Sequence, residues 1–324
     1  MQIQTISDLK RFRDMAPPTY SLKGLIQGKV GLLIGAPWSA KSEISLSICI
    51  EHASSLRTLG LSVATEPRKT LYVSTEDPVS IVAGRVSDIT NTLPLSVQKE
   101  LDENFHFLAD DEIPPFVGDF SNPEYLVHFR HLVGLFKSYE LVVIDTLSEA
   151  IGCFDEVKDD KQIKESFKRL AQESGASLLL IHHVGKEEIR GRQKITMASG
   201  TGLSSLMKLT KFLLSVSMEE NGSRLEIRYQ KGNYLSAEQR NNILLTKEVE
   251  SRIIMSQNCY QLNVDEGPQS RHSQSLVELR QPSSSSERLS GRHTRTKRNS
   301  GPKSIVIETI DEFPEPDDDL RDTL

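Results

Sequence analysis

The chain has 324 residues, 37% of them hydrophobic, and a formal net charge of −6. That length suits one large α/β domain or two small ones, and that charge excludes a polyanion binder acting through its overall charge. The widely spaced Cys49, Cys153 and Cys259 argue against a disulfide framework or zinc site, and no apolar stretch approaches the ~20 residues of a membrane span.

In chain order, the opening "MQIQTISDLKRFRDM" lacks the apolar centre of a secretion signal, so the protein reads as cytoplasmic. Residues 1–28 form an N-terminal lead-in, with "APPTY" marking an extended or turn segment. Residues 29–262 alternate short β-type runs with longer helical stretches. The runs are "VGLLIG", "TLYVST", "NFHFLA", "LVVIDT", "SLLLIHH", "FLLSVSM" and "LEIRYQK". Amphipathic stretches such as "PEYLVHFRHLVGLFKSY" and "KQIKESFKRLAQES" lie between several of them. The early runs are almost wholly apolar, as strands buried on both faces are. The alternation predicts an α/β fold with a doubly wound, mostly parallel sheet.

The first run ends at Gly35, and "GAPWSAKS" follows. This fits the phosphate-loop pattern G-x-x-x-x-G-K-[ST], except that Ala40 stands at the second glycine. In such a loop the backbone N–H groups of Gly35, Ala36, Pro37 (which has none), Trp38, Ser39, Ala40, Lys41 and Ser42 surround the phosphates. Lys41 reaches the β- and γ-phosphates of ATP, and the Ser42 hydroxyl binds Mg²⁺. Alanine adds one methyl group to glycine. A positive φ at Ala40 would cost on the order of 1 kcal/mol, which weakens the loop without abolishing it. A chance helix start is the alternative for Lys41-Ser42.

Three later strand ends support the loop. "LYVSTEDP" places Glu76 and Asp77 after a strand, where a carboxylate can orient and deprotonate an attacking water, or simply cap the next helix. "LVVIDT" ends in Asp145, at the position of a Walker B aspartate that serves Mg²⁺. "SLLLIHHVGK" ends in His182 and His183, which point to opposite faces, so a polar contact to the γ-phosphate by one of them is the stronger reading over a metal pair. Ligands of open parallel sheets bind at those carboxyl ends.

From residue 263 onward the composition changes. The stretch "QPSSSSERLSGRHTRTKRNSGPK" has little to bury and reads as a disordered C-terminal tail. Residues 271–303 carry eight Lys/Arg against two Glu, and residues 304–324 carry eight Asp/Glu against one Arg. A basic block thus precedes an acidic one, as a solvated tail or a contact for a protein partner.

The matching stretches "APPTYSLKGLIQGKVGLLIGAPWSAKS", "LYVSTEDP", "LVVIDTLSEA", "LLLIHHVGK" and "YQKGNY" resemble the RecA-like P-loop ATPases of the plasmid RepA helicase type, relatives of the DnaB-type hexameric helicases. The resemblance covers about residues 16–234. It implies a RecA-like core that assembles with itself into a ring, usually a hexamer, with ATP between neighbours and single-stranded DNA through the middle. It also implies Glu76 as catalytic base, Asp145 and Ser42 as Mg²⁺ ligands, and His183 as γ-phosphate sensor with His182 as the alternative. Lys231 is implied as a basic finger reaching a neighbour's nucleotide, a task that Arg228 could share. Two departures bear on turnover. Ala40 replaces the loop glycine, which makes weak turnover an expectation. Ser199 or Gly200 falls where the plasmid helicases begin an arginine-led segment.

In RecA-like proteins two loops face the ring centre. Here they are 148–162, which is acidic, and 184–202, which carries Lys186, Arg190, Arg192 and Lys194 among glycines. The second suits electrostatic contacts to a DNA backbone, although an ordinary solvated loop has the same composition. The expected function is a ring-forming, DNA-dependent ATPase, a helicase or translocase in replication of a plasmid, phage or mobile element. A nucleotide-gated DNA-binding adaptor that recruits or loads other proteins without unwinding is the alternative.

Overall fold

The computed structural model describes residues 5–6, 17–109, 113, 115–184, 204–218, 224–246 and 254–256. The strands are β1 (Tyr20–Leu22), β2 (Leu25–Ile26), β3 (Val30–Gly35), β4 (Thr70–Ser74), β5 (Phe105–Ala109) and β6 (Leu141–Asp145). They continue as β7 (Ser177–His183), β8 (Phe212–Met218), β9 (Arg224–Gly232), β10 (Ile243–Thr246) and β11 (Met255–Ser256). The α-helices are α1 (Lys41–Ala53), α2 (Val79–Thr90), α3 (Leu95–Asn104), α4 (Pro123–Phe136), α5 (Leu147–Ala150), α6 (Asp160–Ser174) and α7 (Ser204–Leu209).

Nine strands form one sheet in the order β11-β10-β9-β8-β3-β7-β6-β4-β5. From β8 to β5 all neighbours are parallel, whereas β9, β10 and β11 extend the sheet antiparallel. The wholly apolar runs occupy the middle, where both faces are covered. Along β6, Leu141 and Val143 pack on one side with Ile44 and Ile48 of α1, Val82 of α2 and Leu101 of α3. Val142 and Ile144 pack on the other side with Phe129 and Phe136 of α4 and Phe167 and Leu170 of α6. Each fully buried side chain of this kind stabilises the fold by roughly 1.5–3 kcal/mol.

Local signals end the helices where the sheet needs them to end. Asn122 caps α4 by accepting the Glu124 N–H at 2.9 Å, and Pro123 occupies the first turn, where its missing donor costs nothing. Gly175, at φ 79°, closes α6 in the left-handed conformation just before β7. Asp160 at the start of α6 accepts from the Ser204 hydroxyl at 3.0 Å and the Ser205 N–H at 2.7 Å, so it caps α7 from another helix.

All seven apolar runs read from the sequence are strands of the main sheet. The short pairs were not legible. Residues 20–26 fold into a β1–β2 hairpin about Gly24, at φ 94°, inside the segment read as a lead-in. The edge strands β10 and β11 have no extended apolar alternation to announce them. The loop bearing Lys186, Arg190, Arg192 and Lys194, and the tail from 263, lie outside the described residues.

Candidate nucleotide-binding site

The carboxyl ends of β3, β4, β6 and β7 open on one end of the sheet, and the strand register sets the site. Gly35 is level with His183, Ser74 with Asp145, and Asp145 with Ile181. Parallel pairing thus brings the loop after β3, the Glu76 turn, Asp145 and His183 together from distant parts of the chain.

Gly35 cannot carry a side chain. A Cβ there would lie 2.6 Å from Ser39 Oγ and 3.1 Å from the Val216 carbonyl oxygen. The loop then turns through two left-handed residues, Trp38 at φ 66° and Ala40 at φ 60°. The sequence-based expectation of positive φ at Ala40 therefore holds. Ala40 gives α1 no side-chain cap, so the first N–H groups of the helix remain available to an anion. Ser39 Oγ is buried with no hydrogen-bond partner.

Lys41 is 5% exposed, and its Nζ donates to the Ala36 carbonyl oxygen at 2.7 Å. Burial lowers its pKa from 10.5 to about 8, against the attraction of Asp145, Glu76 and Glu43. The ammonium is thus held inside its own loop, facing inward. Asp145 is 5% exposed, and Tyr72 donates to its Oδ2 at 2.6 Å while Oδ1 has no partner. Burial raises the Asp145 pKa, and the bonds from Tyr72 and Ser42 and the charge of Lys41 oppose that rise.

Glu76 and Asp77 are separated by their partners. Asp77 forms an ion pair with Arg85 of α2. Glu76 is more than half exposed, with His183 Nε2 at 3.9 Å from its Oε2 and no Lys or Arg on it among the described residues. His183 is partly exposed on the site side, and burial followed by the Lys41 charge lowers its pKa. His182 points the other way, is 3% exposed and stands 3.7 Å from Glu156. Burial lowers its pKa to about 4, so it is neutral. The opposite-face expectation for the two histidines holds.

Lys231 is not at this site in its own chain. It sits opposite Leu213 of β8, which is level with Leu32 of β3, about 10 Å along the strands from the loop. Its Nζ donates to the Met207 carbonyl oxygen at the end of α7. Arg228 is paired with Glu226. Two residues of the site were missed in the sequence. Tyr72 was detectable as the lone aromatic hydroxyl within "TLYVST"; Arg85, which occupies Asp77, gave no local signal.

A buried carboxylate with a free oxygen beside a serine hydroxyl matches Mg²⁺, which takes one or two protein oxygens and completes its shell with water and phosphate. No cluster of three or more His, Cys, Asp or Glu able to hold a metal occurs among the described residues, which agrees with that sparse donor set. The loop amides, Lys41 and the free start of α1 fit a nucleotide's phosphates. The fold and this site define a RecA-like P-loop ATPase.

Residues 3–188 match the AAA_25 family, described as an AAA domain, and the chain belongs to that family. Among solved structures, a helicase ATPase domain superposes with a TM-score of 0.55 at 11% identity, covering 76% of this chain and 95% of that one. The RadB recombinase superposes with a TM-score of 0.45 at 13% identity, over 70% of this chain and 90% of that one. At these identities the likeness is one of fold. No curated protein matches the chain. The resemblance to RecA-like P-loop ATPases is borne out. No helix among the described residues is long and apolar enough to cross a membrane.

Proposed function

We propose that the protein hydrolyses ATP as a subunit of a ring that moves on or unwinds single-stranded DNA during replication of a plasmid, phage or mobile element. The observation that carries this reading is the convergence of Lys41, Glu76, Asp145 and His183 at four neighbouring strand ends. Lys41 and the loop amides hold the phosphates. Ser42 and Asp145 hold Mg²⁺, which supplies charge neutralisation at the phosphate oxygens. Glu76, which no cation occupies, accepts the proton of the attacking water, and His183 beside it contacts the γ-phosphate. Lys231 serves a neighbouring subunit's nucleotide, because the sheet holds it away from its own. Lys186, Arg190, Arg192 and Lys194 contact the DNA backbone, so binding weakens as salt rises.

A specific observation favours a second reading, a nucleotide-gated adaptor that binds DNA and loads other proteins without unwinding. Ala40 holds a left-handed conformation that glycine adopts without strain, which is consistent with slow turnover. ATP hydrolysis by a size-defined oligomer, with and without single-stranded DNA, alongside strand separation of a forked duplex, decides between them. DNA-stimulated hydrolysis with strand separation supports the motor. DNA binding without strand separation supports the adaptor. No hydrolysis and no DNA binding rejects both.

A further inference from the structure

Trp38 is 93% exposed at the tip of the phosphate loop, held out by a left-handed backbone three residues before Lys41. So much apolar surface in water, fixed beside a nucleotide site, is what an interface anchor looks like before it docks. At the other end of the sheet lies a cavity of about 80 Å³, between the β1–β2 hairpin, α6 and the start of β8. Its floor is apolar, from Leu25, Val30, Leu209 and Phe212, and Tyr234 stands at the mouth, 47% exposed. Lys29, Lys168 and Lys211 line the rim, and no carboxylate does.

We propose that Trp38 of one subunit seats in this cavity on a second copy of the chain. The inference rests on the ring reading above and names the contact that builds the ring. Three observations fix the occupant as a second copy. The cavity is matched to the edge of one aromatic side chain, and Trp38 is the sole tryptophan of the chain. Trp38 cannot reach the cavity of its own chain. Val30, at the cavity, and Gly35, at the loop, are the two ends of β3, roughly 17 Å apart. The charges also match, because phosphates held beside Trp38 would meet the lysine rim of the neighbour.

The same corner carries the proposed finger. The Asn233 N–H donates to the Lys211 carbonyl oxygen at 3.2 Å, two residues past Lys231. Among the described residues no Asp or Glu pairs with Lys29, Lys211 or Lys231. Seating Trp38 therefore delivers cations free of carboxylate partners to the neighbouring nucleotide. The contact is head-to-tail, the kind that closes into rings.

The test uses the full chain with Mg²⁺ and a non-hydrolysable ATP analogue, following oligomer size by sedimentation and Trp38 emission across protein concentration. Emission is expected to move to shorter wavelength with the same midpoint as assembly. Trp38→Ala and Lys211→Glu, both at exposed positions, are each expected to raise the assembly midpoint about tenfold or more. In Lys211→Glu, which retains Trp38, the emission shift should move with assembly. Assembly with unchanged Trp38 emission, or both variants assembling at the wild-type midpoint, overturns the proposal and leaves the ring reading standing. An emission shift produced by nucleotide below the assembly midpoint also overturns it, assigning Trp38 to its own nucleotide instead. A monomer at every concentration overturns both.

Discussion

The Lys41 ammonium is kept largely out of water with one carbonyl partner, an arrangement that serves a ligand better than it serves the fold. Its pKa of about 8 in the folded chain lies below the unfolded value, so the protonated form is disfavoured by folding. The resulting destabilisation, at most about 3 kcal/mol, is complete below pH 8, shrinks between pH 8 and 10.5, and vanishes above. Lys41→Met should therefore stabilise the chain to urea at pH 7, with the gain fading towards pH 10.5, while abolishing nucleotide binding. In the wild type, nucleotide affinity should fall above pH 8, by up to about tenfold per pH unit, as binding begins to require proton uptake. Isothermal titration in buffers of different ionisation enthalpy reads that uptake directly. Ala40→Gly relieves a left-handed alanine and should raise stability by up to about 1 kcal/mol with nucleotide binding kept, as thermal melts can show. For the base, Glu76→Gln should retain ATP binding and lose hydrolysis by about 10²-fold or more, whereas Asp77→Asn, whose partner is Arg85, should lose far less. A steady-state comparison in which Asp77→Asn is the worse variant would move the base by one residue.

Helices and strands were legible where burial on two faces forced a continuous apolar run, as in "LVVIDT" and "SLLLIHH". The strand ends were therefore legible too, and with them Glu76, Asp145 and His183. What stayed hidden was set by pairing between distant segments. The β1–β2 hairpin is held by a glycine turn and a few backbone bonds, too short for any period to show. Tyr72 on Asp145 joins residues 73 positions apart, and no local pattern foretells such a bond. The same holds for Asp160, which reads as an ordinary first-turn acid yet caps α7 across the molecule. Asp160→Ala leaves the Ser205 N–H without its acceptor and should cost about 1–2 kcal/mol in urea denaturation. Because α7 offers Lys231 its Met207 carbonyl, that variant should also loosen Lys231, which amide exchange of the Met207–Thr210 turn can follow.

Across the whole molecule, the loop and Lys231 occupy different ends of one rigid sheet. If Lys231 acts on a neighbour, mixing inactive Lys231→Ala and Glu76→Gln subunits should restore part of the hydrolysis, because some interfaces then join an intact finger to an intact base. Verified mixed oligomers with no restoration at any ratio would place Lys231 outside the reaction. The opposed placement also carries an arithmetic consequence. Each subunit is a link with one giving end and one receiving end, so an open row always leaves a receiving end idle at one terminus and a giving end idle at the other. A pair completes a single site out of two, a longer row all but one, and only closure completes every site. Hydrolysis per subunit would then climb in diminishing steps as rows lengthen and jump once when they close, making the rate itself a gauge of whether the circle is shut.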